Sequence, residues 1–173
     1  MTAAHVRTLA LAAGTGALLL GVAGCAGSLP ADEIGSTIVT QLKGQGVTVD
    51  GDRVSCPGDV PVDVGRTVVC GFTAGGQPVD AVARVSSVEG PTVNVDVSTA
   101  ARPVPKAVLE TAVTRQLGHG GVPAERTSCD GDLPPRVGRT QTCTASGGGG
   151  TLPLTTTVTA VRGGLVSFSI GKR

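Results

Sequence analysis

The residues of this chain that could do chemistry are first its cysteines, because their spacing repeats along the sequence. Cys56 and Cys70 are 14 positions apart, and the same interval separates Cys129 from Cys143. Zinc ribbons place their cysteine ligands only about two to four residues apart, so a four-thiolate zinc site is the less favoured interpretation. In an exported chain, cysteines at this distance favour disulfides. The pattern therefore predicts disulfide bonds and no bound metal.

The fifth cysteine, Cys25, follows a segment typical of an exported bacterial lipoprotein. Residues 1–24 combine a weakly basic start, a short apolar stretch and small residues. The end of this segment, Val22-Ala23-Gly24-Cys25, resembles a lipobox, which implies cleavage before Cys25 and a lipid on its thiol. We therefore expect 1–24 to be a lipoprotein signal peptide and 25–29 to be a lipidated N-terminus with a short linker. The alternatives are an uncleaved anchor or ordinary secretion with a free thiol.

Histidine and aromatic content exclude several function classes. The chain has two histidines, His5 and His119, and His5 lies in the segment predicted to be removed. A single histidine does not support a histidine-based catalytic centre or a multi-histidine metal site, and we interpret His119 as an exposed loop residue. With no Trp, no Tyr and two Phe, the chain lacks stacking platforms for nucleic-acid bases. We expect no catalytic activity, no cofactor and no nucleic-acid partner.

The rest of the chain consists of two tandem copies of one sequence unit. Arg53–Cys70 aligns without a gap on Arg126–Cys143, and 11 of the 18 positions are identical. A duplicated unit has to be self-contained, which favours Cys56–Cys70 and Cys129–Cys143 among the three connectivities that four cysteines allow. We predict a first unit at 30–99 and a second at 100–173.

Hydrophobic periodicity predicts the same elements in both units. Apolar residues spaced by four indicate helices over 31–43 and 104–117. Alternating apolar and polar residues then indicate strands, which we place at 66–73, 78–88 and 92–99, and at 139–146, 151–161 and 165–171. The predicted fold is α+β, with two tandem small units. Each is a helix packed on a three-stranded antiparallel meander, with one disulfide inside the unit.

Acidic residues near the cysteines have two interpretations. The pairs Asp50/Asp52 and Asp130/Asp132 could offer carboxylates to calcium, but a calcium loop needs several more oxygen ligands at regular spacing. The two pairs also fall at positions that are not equivalent in the repeat. Turns are therefore the favoured interpretation.

Two arginines, Arg66 and Arg139, recur at one place in the repeat, directly before the first long strand. Each could grip a phosphate or a carboxylate. The alternative, which we favour, is internal pairing: Arg66 with Asp59 or Asp63, and Arg139 with Asp132.

The two units differ in charge. Residues 25–99 carry four basic and nine acidic residues, a formal charge of −5, whereas residues 100–173 carry nine basic and four acidic residues, a formal charge of +5. Drift could produce this split. Alternatively, the units dock on each other or head to tail between molecules, or the basic unit contacts anionic envelope polymers or lipid headgroups. For the last hypothesis, the candidate anion-binding residues are Arg136 and Arg139.

The combination of these motifs resembles a known family. A lipobox, a short helix, Ser-Cys-Pro-Gly-Asp at 55–59, Val-Gly-Arg-Thr at 64–67, Cys70 and a valine-rich meander are similar to DUF4333, an actinobacterial envelope domain family of unknown function. The second copy departs from this pattern at Asp130, Gln141 and Thr142. The resemblance implies an exported, membrane-attached protein and transfers no catalytic residues.

We therefore expect a non-catalytic lipoprotein on the outer face of the cytoplasmic membrane that binds or scaffolds. Its expected partners are the membrane, through the lipid on Cys25, and an anionic envelope polymer or a membrane protein. The alternative is an accessory or regulatory subunit of a membrane complex. A lipid carrier or an enzyme is less favoured, because units of this size leave little volume for a ligand cavity.

Overall fold

The computed structural model describes residues 27–173 of the chain. The predicted signal peptide at 1–24 and the predicted lipidation site at Cys25 lie outside the described residues. The described part folds as two α+β units, each with a helix, an antiparallel sheet and a disulfide, which confirms the predicted class and the duplication. Within residues 27–173, no helix is long and apolar enough to cross a membrane.

The first unit contains a short strand, a helix and then the strands of its sheet. In chain order its elements are β1 (Ser28–Leu29), α1 (Ala31–Gly44), β2 (Val54–Ser55), β3 (Val60–Pro61), β4 (Thr67–Ala74), β5 (Gln77–Glu89) and β6 (Thr92–Ala101). A 3-10 turn, Asp50–Asp52, lies between α1 and β2. The helix and the three long strands agree with the predicted bounds to within two residues. Ser28 and Leu29, assigned to the linker from the sequence, instead pair with β3.

Helix α1 forms because apolar residues recur at every fourth position along one face. Ile34, Ile38 and Leu42 are at most 1% exposed and belong to the core beneath the helix. The helix ends at Gly44, and the N–H of Val47 then donates to the carbonyl of Leu42 at 2.9 Å. This bond satisfies a carbonyl that the helix itself leaves free.

The second unit repeats this order of elements. They are α2 (Lys106–His119), β7 (Arg126–Cys129), β8 (Thr140–Gly147), β9 (Gly150–Arg162) and β10 (Leu165–Lys172). The helix starts two residues later than predicted, because Val104 forms a β-bridge with Leu133. That bridge is the counterpart of the β1–β3 pair in the first unit. His119 is exposed as predicted, but it lies in the last turn of α2 and not in a loop.

Each sheet has four strands, so the predicted three-stranded meander was wrong. The strand orders are β2-β4-β5-β6 and β7-β8-β9-β10. The extra strands are β2, which ends directly before the first cysteine of its unit, and β7, which ends on it. Each pairs antiparallel with the first long strand of its sheet. This arrangement brings the two cysteines of each unit onto neighbouring strands.

The core of each unit lies between its helix and its sheet. In the first unit, α1 shares a buried cluster with Phe72 and with valines and alanines of β5. In the second, Leu109 and Val113 of α2 share one with Leu154 and Val158 of β9. Both cores are built from aliphatic side chains and half-cystines with little aromatic area, so each unit gains limited stability from burial alone.

The two units contact each other through the β9–β10 hairpin of the second unit. The side-chain amide of Gln77 donates to the carbonyl of Val166 and accepts from its N–H, both at 3.0 Å. Gly164, in the turn of the same hairpin, is buried. The ion pair between Arg102 and Asp80 is 3.9 Å long and partly exposed, so it contributes little. The units therefore dock through packing and hydrogen bonds more than through their opposite charges.

Candidate functional site

The disulfides close a loop on the edge of each sheet, as predicted. Cys129 and Cys143 are register partners on β7 and β8, with Cα atoms 3.9 Å apart. Cys56 follows β2 directly and bonds to Cys70 on β4, with Cα atoms 4.3 Å apart. Cys70, Cys129 and Cys143 are buried. Each bond therefore anchors the intervening loop, and it is in these loops that the basic and acidic motifs of the repeat lie.

The aspartates of these loops satisfy helix N-termini, so the predicted internal pairing with arginine was wrong. Asp59 accepts a hydrogen bond from the N–H of Ala31 at 3.1 Å, and Asp132 accepts one from the N–H of Lys106 at 2.8 Å. Neither helix has a cap from its own flanking side chain. The carboxylate supplies an acceptor for a free N–H and a negative charge at the positive end of the helix dipole. This role explains why the Gly-Asp pair recurs in both copies.

Replacing Asp132 with alanine should lower the free energy of unfolding by about 1 kcal/mol, the usual cost of losing an N-terminal cap. Asp132→Asn should fall between alanine and wild type, because the amide keeps an acceptor but loses the charge. Asp130→Ala is the matched control, since Asp130 is exposed and it is its backbone N–H that donates to the carbonyl of Thr142. Urea denaturation of the chain from residue 26 onward measures all three. Equal destabilisation by Asp130→Ala and Asp132→Ala would contradict the capping role.

The Asp50–Asp52 segment is a turn with its own structural partners. The carboxylate of Asp50 accepts from the N–H groups of Gly75 and Gly76 at 3.1 and 2.9 Å, which fastens the β4–β5 hairpin turn. Asp52 pairs with Lys43 at 3.0 Å. Among residues 27–173, no group of three or more His, Cys, Asp or Glu is placed to hold a metal ion.

The feature that stands out in the second disulfide loop is a turn, Arg136–Arg139, here called the basic turn. The N–H of Arg139 donates to the carbonyl of Arg136 at 3.0 Å, so the two arginines stand at the two ends of one tight turn. Gly138 has φ +81°, a left-handed conformation that glycine adopts without strain. Backbone hydrogen bonds of 2.9 Å join Gly138 and Arg139 to Val158 on β9. The turn is thus held firmly on the sheet.

The tip of the basic turn is apolar. Val137 is 67% exposed although it is a large aliphatic residue. The first unit has the same turn at residues 63–66, with Arg66 N–H donating to the Asp63 carbonyl at 3.0 Å and Val64 65% exposed. An exposed valine at the tip therefore recurs in both copies. The aligned Val-Gly-Arg of the two copies is the only sequence signal for this valine, and it does not reveal that the side chain is exposed.

The two turns differ in charge at one position. The first unit carries Asp63 where the second carries Arg136, so one turn has opposite charges at its ends and the other has two positive charges. Among the described residues, neither Arg136 nor Arg139 takes part in an ion pair, and both are exposed. Two guanidinium groups beside an apolar tip can grip phosphate or carboxylate while the valine enters the adjoining apolar layer.

The first described residues are hydrogen-bonded beside residues 63–66, the turn of the first unit that corresponds to the basic turn. The N–H of Val62 donates to the carbonyl of Gly27 at 3.0 Å, and β1 pairs with β3 from there. In the sequence, Ala26 alone separates Gly27 from Cys25. The described chain therefore begins on this edge of the first unit, two residues after Cys25.

The fold and the site define a class of protein with two tandem α+β repeats. Each repeat has one disulfide, and the loop that the disulfide closes carries an exposed turn. Comparison with known families is consistent with this class. The model of DUF4333, described as a domain of unknown function, matches residues 13–90 and again residues 93–163. The chain belongs to this family and contains two copies of its domain, as its motifs predicted. No curated protein and no solved structure matches the chain.

Proposed function

We propose that the chain is a non-catalytic lipoprotein of the cell envelope, anchored by a lipid on Cys25. Its second unit binds anionic headgroups or polymers at the outer face of the cytoplasmic membrane through the basic turn. The observation that carries the proposal is a pair of exposed arginines, Arg136 and Arg139, on either side of the exposed Val137, and neither forms an ion pair within residues 27–173. In such a surface only the apolar side chain is costly to expose to water. An exposed apolar residue between two basic residues is typical of a surface that contacts an anionic layer.

Two further observations support the proposal. The second unit as a whole carries +5, so its long-range field favours approach to an anionic surface. The first unit, at −5, is the one that begins beside Cys25, and its attachment depends on the lipid and not on charge. The anchor would supply attachment, and the basic turn would supply contact with headgroups or polymers.

Changing Arg136 and Arg139 together to glutamine should weaken binding to anionic vesicles about thirtyfold, because each basic residue near such a surface contributes about 1 kcal/mol. The chain from residue 26 onward is used, so that no lipid masks the effect. Binding is measured by sedimentation with vesicles of phosphatidylglycerol and phosphatidylcholine, and with isolated cell envelopes. It should also fall as salt rises, because these charges are exposed.

The matched control removes the same charge from other exposed positions of the second unit, Arg115→Gln with Arg126→Gln. If this pair weakens binding as much as the turn variant, net charge and not the basic turn is responsible. If the wild-type chain binds envelopes but not vesicles or extracted anionic polymer, its partner is a membrane protein, and the accessory-subunit alternative replaces the proposal.

A further inference from the structure

The contact between the two units uses a small acceptor surface on the first unit. The turn of the β9–β10 hairpin, Gly163-Gly164, packs on Val47, Val79 and Thr99. A side chain added at Gly164 would collide with Val79 and lie 3.2 Å from the Cβ of Thr99, and one added at Gly163 would lie 3.1 Å from Val47. These three residues, here called the first acceptor, are thus covered by the hairpin, and Val79 is 0% exposed.

The second unit has an equivalent surface that no other part of residues 27–173 covers. The counterparts of the first acceptor are Val122, Leu152 and Lys172, and all three line a single groove of about 250 Å³ between the end of α2 and β10. We call these three residues the second acceptor. Val122 is 37% exposed, and Leu152 is half-buried where its counterpart Val79 is fully buried.

Hydrogen bonding confirms that the two acceptors are structurally equivalent. Val47 donates its N–H to the carbonyl of Leu42 at 2.9 Å, and Val122 donates to the carbonyl of Leu117 at 3.0 Å. Each valine therefore takes up the same position after the last turn of its helix. The second acceptor is the place where the hairpin of a following unit would sit.

The first unit carries the equivalent hairpin, and the other described residues, 27–173, leave its turn exposed. The β5–β6 turn at residues 89–92 is the counterpart of the β9–β10 turn at residues 162–165. All four of its residues are exposed, whereas Gly164 is buried and Leu165 packs on the first core. Within the described part of the chain, the first unit thus has an uncovered hairpin and the second unit an uncovered acceptor.

We propose that the β5–β6 hairpin of a second copy of this chain docks in the second acceptor, so that copies associate head to tail. Charge complementarity favours this occupant, because the hairpin belongs to a unit of −5 and the acceptor to a unit of +5. Locally, Glu89 is the one charged residue of the hairpin turn at 89–92, and Lys172 lines the groove. The contact joins two different surfaces, and we expect the copies to add one after another, in an open series or in a ring of three or more.

The contact between copies differs from the contact within the chain in two respects. Pro91 stands at the position of Gly164, whose φ of +79° a proline cannot adopt, so the β5–β6 turn would enter the groove with a different backbone conformation. Gly150 stands at the position of Gln77, so the paired hydrogen bonds to Val166 have no equivalent. We therefore expect the association between copies to be weaker than the docking of the two units, and reversible.

The test measures the mass of the chain from residue 26 onward, which contains both cores and all the described elements, by analytical ultracentrifugation over a concentration series. Wild type should rise beyond the mass of a dimer. Glu89→Lys, which leaves the acceptor intact, and Val122→Asp, which leaves the hairpin intact, should each weaken association by about tenfold or more, since each places like or unpaired charge in the contact.

Mixing the two variants gives the decisive result. The hairpin of Val122→Asp and the acceptor of Glu89→Lys form one intact contact, so the mixture should recover dimers and nothing larger. This recovery also shows that both variants are folded. A wild type that stays monomeric up to about 1 mM, a wild type that stops at a dimer, or a mixture that stays monomeric would each overturn the proposal.

Discussion

Replacing Cys129 and Cys143 together with alanine should lower the free energy of unfolding of the second unit by about 3 kcal/mol. The disulfide joins residues with a sequence separation of 14, and closing a loop of this length removes about that much entropy from the unfolded chain. For a domain of this size the melting temperature should fall by roughly 12 to 24 °C. Differential scanning calorimetry of the chain from residue 26 onward measures the change.

The double variant Cys56→Ala with Cys70→Ala is the matched control, because its bond lies wholly within the first unit with the same separation. Each double variant should lower the transition of its own unit far more than that of the other. A loss below about 1 kcal/mol in both variants would mean that the unfolded chain is already restricted without the bond, and that the aliphatic cores hold the units alone.

The helices and long strands could be predicted because the duplication supplies each pattern twice. A spacing of four in Ile34, Ile38 and Leu42 is weak evidence in a helix of this length, but Leu109, Val113 and Leu117 repeat it. All six are buried. Local periodicity and tertiary burial agree at these positions, which is why the predicted bounds needed changes of only one or two residues.

The strands β2 and β7 could not be predicted because backbone pairing holds them and their side chains give little pattern. In β7, Arg126-Thr-Ser-Cys129, the inward positions are a threonine and a cysteine. The hydroxyl of Thr114 on α2 forms a hydrogen bond of 2.8 Å with that of Thr127, which satisfies the buried side chain of Thr127. Strand β7 can therefore be buried without alternating apolar residues. A strand of this kind becomes visible only when its partner strand is in place.

The predicted arginine–aspartate pairs failed because sequence neighbours were favoured over distant partners. Asp59 lies 28 residues from the helix N–H that it satisfies, and no local pattern connects the two. The choice of Arg136 and Arg139 as candidate anion-binding residues stays a prediction, and the structure adds that both are exposed at the ends of one turn. What the sequence could not supply was the exposure of Val137 between them, which depends on the path of the loop over the sheet.

Sequence analysis offered docking of the two units only as one explanation of their opposite charges and could not locate the contact, which carries the second large prediction. Gly163-Gly164 reads as an ordinary hairpin turn, with φ +56° and +79°. In the structure the same glycines pack so closely on the first unit that a side chain added at Gly164 would collide with Val79. Replacing Gly164 with alanine should therefore cost about 1 to 2 kcal/mol for the left-handed backbone, and about 1 to 3 kcal/mol more for overpacking against Val79.

Gly149→Ala separates these two contributions. Gly149 has φ +81° in the β8–β9 turn of the same unit, and a side chain there meets nothing within 4 Å. Hydrogen exchange of the Val166 N–H reports docking directly, because its acceptor is the side chain of Gln77. Exchange should become faster in Gly164→Ala and stay protected in Gly149→Ala, with a larger loss of unfolding free energy in the former. Equal effects in both variants would mean that the glycine is required by the turn alone, and that the units are held together by other contacts.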